Sequence, residues 1–161
     1  MLKIVNKTTK KLRIALIEFF LIILFANSLP FIQGSNANNE LQYFTPGEML
    51  LLRTSYTDDA AMTESVKALQ TAGASYLTFF IIPIIGFLFA AFDRERNLKN
   101  IAGILCSIAG VMAIIYLVGA YISIGALAVL FLYLVTFMLS IYGMFARYLK
   151  VSDKQEKTEN K

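Results

Sequence analysis

Residues 75–92 read SYLTFFIIPIIGFLFAAF, residues 101–118 read IAGILCSIAGVMAIIYLV, and residues 125–148 read GALAVLFLYLVTFMLSIYGMFARY. As helices rising 1.5 Å per residue, blocks of this length match a hydrocarbon layer of about 30 Å. Between them lie DRERNLKN at 93–100, a tight charged connection, and GAYISI at 119–124, an uncharged turn. Connections this short make consecutive blocks antiparallel neighbours.

Upstream, the basic segment 1–12 (MLKIVNKTTKKL) leads into a fourth apolar run over 13–33. A basic start before an apolar run also has the form of a secretory signal. A signal's apolar region is usually about 7–15 residues and ends at a small-x-small site. This run is longer and passes through Asn27, Ser28 and Pro30 without an Ala-x-Ala, so a retained first helix is expected. The fold class expected is an all-α membrane protein, with four transmembrane helices in an up-down bundle.

Composition agrees. Hydrophobic residues make up 57% of the chain and charged residues 16%, against about a quarter charged in an ordinary soluble domain. There is no histidine and one cysteine, Cys106, which removes intramolecular disulfides and disfavours zinc, haem and histidine-based nucleophilic sites. No glycine-rich phosphate loop and no nucleophile with a nearby base are present, so neither an enzyme, a cofactor nor a metal is expected.

The stretch 34–74 is the only long hydrophilic loop. It opens on a polar turn, GSNANNE. Thr45-Pro46-Gly47-Glu48 then reads as a capping box with proline at the first helical position, predicting a short helix over about 46–54. Thr57-Asp58-Asp59 reads as a second start, with Met62, Val66 and Leu69 forming one apolar stripe of a helix over about 58–72. Helix capping accounts for Asp58 and Asp59 better than a calcium loop does. The polar end, 149–161, is expected to be a disordered tail.

Loop charges set the direction. Lys3, Lys7, Lys10, Lys11 and Arg13 precede the first run, while the 34–74 loop carries Arg53 and Lys67 against Glu40, Glu48, Asp58, Asp59 and Glu64. Arg94, Arg96 and Lys99 mark the next connection, and basic residues recur from Arg147 and Lys150 onward. Basic and acidic or neutral segments alternate at every crossing, which predicts both termini in the cytoplasm of a multi-pass cell-membrane protein. Disulfide-free, Lys-, Asn- and Ile-rich ends suit a bacterial inner membrane. Arg94, Arg96, Lys99, Arg147 and Lys150 are expected to meet anionic lipid headgroups. The other partners expected are a membrane protein or a second copy of the chain, and not nucleic acid.

Few residues inside the spans invite a functional reading. Glu18 is the one ionisable group well inside an apolar run, where a carboxylate costs about 2.5–3.5 kcal/mol at mid-depth. It sits near enough to Arg13 to reach the interface or pair there. Pro83, one turn before Gly86, removes a backbone hydrogen bond and is expected to shape the second span. Ala102, Cys106 and Gly110 recur at i, i+4, i+8, as do the pairs Gly103 with Ser107 and Ala109 with Ala113; Thr136, Ser140 and Gly143 offer a matching seam for close packing. Tyr76, Tyr116 and Tyr121 form an outer aromatic belt, with Phe92 and Tyr148 at the inner boundary.

The outline of four spans with a long first outer loop resembles claudin-like proteins. Those carry a Gly-Leu-Trp and a cysteine pair in that loop, and 34–74 has neither. Tetraspanins place a large cysteine-bearing loop where this chain has 119–124. Neither family is assigned. The expectation is a non-enzymatic accessory, regulatory or assembly subunit. The alternative is a small transporter or channel-forming oligomer that uses Glu18, the Pro83 break, Thr136 and Ser140.

Overall fold

An apolar block in hydrocarbon satisfies its backbone internally by forming a helix. The computed structural model describes residues 2–35, 41–55, 73–93 and 97–159. Its helices are α1 (Leu2–Ala26), α2 (Pro46–Ser55), α3 (Thr78–Phe92), α4 (Leu98–Leu117) and α5 (Ile124–Glu159). Short 3-10 turns at Gly73–Leu77 and Gly119–Tyr121 precede α3 and α5, and a two-stranded hairpin follows α1. The chain is mostly helical. Among the described residues, three helical segments are long and apolar enough to cross a membrane: Ser75–Phe92, Leu98–Leu117 and Ile124–Tyr148.

The first helix departs from the expected 13–33. It begins at Leu2, within the basic segment, and stops at Ala26. Its apolar stretch from Ile14 to Ala26 is about 20 Å long, short of a full crossing. Local chemistry explains the stop. Ser28 Oγ donates to the Phe25 carbonyl at 2.6 Å, drawing the chain into a turn, and Pro30 disfavours helix at Leu29.

The four long helices close a ring. α1 packs on α3 and α5, and α4 lies between α3 and α5 on the far side. Contacts fix the directions: Phe20 meets Gly86 and Asn27 reaches Phe79, while Gly103 meets Ser140 and Gly110 meets Tyr133. Rising numbers on one helix face falling numbers on the next, so neighbours are antiparallel. The core runs through Leu16, Phe20, Ile23, Phe79, Ile82, Ile114, Val129 and Tyr133.

The end of the bundle where α1 stops and α5 begins is closed by a structure the polar turn does not foretell. Strands β1 (Ile32–Ser35) and β2 (Leu41–Phe44) pair antiparallel with Ile32 opposite Phe44. Ile32 also bridges Ile122, and Ser123 N donates to the Phe31 carbonyl at 2.9 Å, so the turn after α4 is tied to the hairpin. Phe31, Ile32, Met49 and Val118 are buried beneath it. Gly119, at φ +50°, takes the left-handed position that ends α4.

The capping box forms as a reciprocal pair: Thr45 N donates to Glu48 Oε2 at 2.7 Å and Glu48 N to Thr45 Oγ1 at 3.2 Å. The helix expected over 58–72, with Asp58, Asp59 and Glu64, lies outside the described residues. The end of the chain differs from the expected disordered tail, because α5 continues through Glu159. Lysine, glutamate and glutamine are good helix formers and prolong a helix already nucleated by the span.

Candidate functional site

The small-residue seam is built inside the chain. Gly103 receives the Ser140 side chain, Gly110 lies under the Tyr133 ring, and Gly143 abuts Asn100 and Leu12. A β-carbon at any of the three would collide with its neighbour, so glycine sets how closely α4 approaches α5. The inward stripe of α4 is Gly103, Cys106, Ser107, Gly110 and Ile114. Ala109 faces outward, so the expected Ala109–Ala113 pair is not part of the seam.

Thr136 and Ser140 are fully buried and bond back into their own helix. Thr136 Oγ1 donates to the Leu132 carbonyl and Ser140 Oγ to the Thr136 carbonyl, each at 2.8 Å. The Ser107 hydroxyl is buried with no protein partner.

Glu18 stands elsewhere. On α1 the residues facing the bundle are Leu16, Phe20, Ile23 and Asn27, whereas Ile14, Glu18, Ile22 and Phe25 are exposed on the outer circumference. Glu18 therefore shares no interior space with Thr136 and Ser140.

Pro83 has a specific answer. Its ring nitrogen carries no hydrogen, which deprives the Phe79 carbonyl of its donor four residues on. Asn27 Nδ2, from the end of α1, donates to that carbonyl at 2.6 Å. Asn27 is 1% exposed, so the repair is made in the core. In the sequence, Asn27 bears only on the absence of a cleavage site. The numbering of α1 against α3 is what pairs it with the proline.

At the opposite end of the bundle, where α3 stops and α4 begins, the charged residues turn inward more than expected. Lys99, read as a headgroup contact, is 7% exposed. Asp93 organises it: Asp93 Oδ2 accepts from Lys99 N at 2.9 Å, capping the start of α4, and the Asp93 carbonyl accepts from Lys99 Nζ at 3.3 Å. Arg13 Nη2 donates to the Ala91 carbonyl at 3.2 Å, at the negative end of α3. Asn100 Nδ2 donates to Asn97 Oδ1 at 2.7 Å. Arg147 is half-buried one turn beyond Gly143. Arg94 and Arg96 lie outside the described residues, as does the Lys150 side chain.

The aromatic belt needs one correction. Tyr116 and Tyr121 are exposed near the end closed by the hairpin, and Phe92 and Tyr148 near the opposite end. Tyr76 is instead fully buried, stacked on Phe79 at 6.0 Å with its hydroxyl donating to the Leu117 carbonyl at 3.4 Å. α2 packs on the Gly73–Leu77 turn that carries Tyr76, and Phe31 packs on Phe79 beside it, which removes Tyr76 from the boundary.

No family model, curated protein or solved structure matches this chain.

Proposed function

We propose that this chain is a four-span, multi-pass protein of a cell membrane with both termini cytoplasmic. Its role is that of a non-enzymatic accessory or assembly subunit. The fourth span in this reading is α1. It runs beside α3 from Arg13, level with Ala91, to Asn27, level with Phe79, so its short apolar stretch lies along most of a helix that is itself long enough to cross. Orientation follows from the basic inner segments and the acidic 34–74 loop.

The observation that carries the accessory reading is the outward face of α1. Glu18 is exposed there between Ile14 and Ile22, and among the described residues it meets no cation or hydrogen-bond donor. It lies about 7.5 Å above Arg13 along the helix, inside the apolar stretch. A partner helix presenting a cation or an amide at that depth would satisfy the carboxylate and cover the stripe. A solute pathway would instead draw Glu18 toward the bundle interior, where Thr136 and Ser140 bond to their own helix.

A photo-crosslinking side chain at Ile22, compared with one at the exposed Met112 of α4, tests this in native membranes. The expected adduct is with another membrane-spanning chain, forms at Ile22 but not Met112, and is lost with Glu18→Leu. Equal adducts at both positions, or insensitivity to Glu18→Leu, would overturn it. Solute flux into liposomes that depends on Glu18 would favour the transporter or channel reading.

A further inference from the structure

Glu18 on α1 faces away from the bundle, and among the described residues it meets no donor. The molecule exposes one hydroxyl placed to supply it from a second copy. Tyr142, on the outward face of α5, is 56% exposed, and its hydroxyl likewise has no partner among the described residues. The outward face of α3 from Ile81 to Phe92 is apolar, and the exposed hydroxyl of α4, Tyr116, stands in its last turn near the hairpin. A phenol hydroxyl donates to a carboxylate as an amide does.

Both residues turn toward the side of the bundle that α1 and α5 share. Helical spacing puts Glu18 about 120° around α1 from Leu12, which meets α5, and about 160° from Phe20, which meets α3. Tyr142 lies about 100° around α5 from Gly143, which meets α1, and about 160° from Ser140, which meets α4. Depth agrees as well. Leu12 meets Gly143 and the Pro30 carbonyl lies against Gly125, so α1 and α5 are antiparallel, with Tyr142 about 7.5 Å from the level of Glu18. Helical side chains lean toward their own N-terminus, so on these two helices they lean toward each other and shorten that offset.

A two-fold axis normal to the membrane leaves depth unchanged and sets α1 of each copy against α5 of the other. Both Glu18–Tyr142 pairs then form at once, and the exposed Ile22 of one copy lies level with the exposed Leu134 of the other. Pairing α1 with α1 would instead set carboxylate against carboxylate. We propose that the chain covering α1 is a second copy of this protein, held by a hydrogen bond from Tyr142 of each copy to Glu18 of the other. This rests on the accessory reading above and names the partner that meets its α1 face.

The test mixes donor- and acceptor-labelled full-length chain in phosphatidylcholine liposomes and follows energy transfer as lipid dilutes the protein. Tyr142→Phe keeps the ring and removes both hydrogen bonds of a pair, and is expected to raise the dissociation constant about ten-fold, or ~1.4 kcal/mol. Glu18→Leu should weaken the pair by a similar factor, and in the double variant the two losses should not add. Tyr148→Phe, at another exposed tyrosine of α5, should leave association unchanged. In the same liposomes, a photo-crosslinking side chain at Ile22 of an isotopically light copy is expected to mark α5 of a heavy copy around Leu134. The substitutions alter exposed side chains, and circular dichroism checks that each variant stays folded. The proposal is overturned by absence of transfer between wild-type copies, by full association of Tyr142→Phe, by an equal loss in Tyr148→Phe, or by adducts confined to α1 of the heavy copy. The two readings fail separately. No transfer between pure copies, with a native-membrane adduct at Ile22 that still depends on Glu18, removes the second copy and leaves a different partner helix. Equal native-membrane adducts at Ile22 and Met112 remove the accessory reading itself.

Discussion

The α4–α5 hairpin and α1 solve the same packing problem in opposite ways. In the hairpin, small residues face large ones along one internal line: Gly103 takes Ser140 and Gly110 takes Tyr133. Its polar side chains Thr136 and Ser140 bond within their own helix, while the buried Ser107 hydroxyl has no hydrogen-bond partner among the described residues. In α1 the fit to the bundle rests on large side chains, with Phe20 filling the notch at Gly86, and on the reach of Asn27 to Phe79. Its outer face carries a carboxylate amid apolar residues. Within one bundle, close-packed small residues join two helices directly, whereas α1 carries an outward carboxylate that meets no cation among the described residues, which is why the proposed partner is placed on that face.

The largest expected effect tests the hairpin. In Gly110→Leu the new side chain has to displace the Tyr133 ring, and overpacking at so tight a crossing should cost about 3 kcal/mol. Reversible denaturation in detergent micelles would measure it. A loss below about 1 kcal/mol would mean that the seam yields easily and that the contrast with α1 is overstated.

A smaller effect tests the α1–α3 junction. Asn27→Ala leaves the Phe79 carbonyl unsatisfied in the core and should cost about 1 kcal/mol. Pro83→Ala restores the backbone donor, so in that background Asn27→Ala should cost much less. A double-mutant cycle is expected to give a coupling of about 1 kcal/mol, and strict additivity would break the link between the two residues.

The smallest effect is at Glu18. Because its side chain faces away from the bundle, Glu18→Leu should change the stability of the isolated chain by less than about 1 kcal/mol, in the stabilising direction. A larger loss would make Glu18 part of the bundle's own support and remove the difference between the two faces of α1.

Several elements were legible because their cause is local. The apolar blocks announce helices by length, Thr45 and Glu48 announce a cap by spacing, and Gly103, Gly110 and Gly143 announce close approach by size. Other features were hidden because their cause is distant. The hairpin needs Ile122 and Ser123, far along the chain, to pair with Phe31 and Ile32. Lys99 reads as an exposed loop cation until Asp93 folds back on the start of α4. Tyr76 reads as a boundary residue until Phe31 comes to rest on Phe79, their rings 5.2 Å apart and edge to face.

The sequence alone determined that the chain is mostly helical with apolar blocks of membrane-crossing length, and where small residues permit helices to touch; it reads four such blocks, of which three form helices long and apolar enough to cross among the described residues. Those properties follow from hydropathy and size, which each residue carries with it. Only the tertiary structure decided which way α1 turns, so that Phe20 and Asn27 face in and Glu18 faces out. Hydropathy marks the face of α1 that bears Glu18 without deciding whether that face turns into the bundle or away from it. Its orientation is settled instead by shape and by single hydrogen bonds, the Gly86 notch and the carbonyl that Pro83 leaves without a donor.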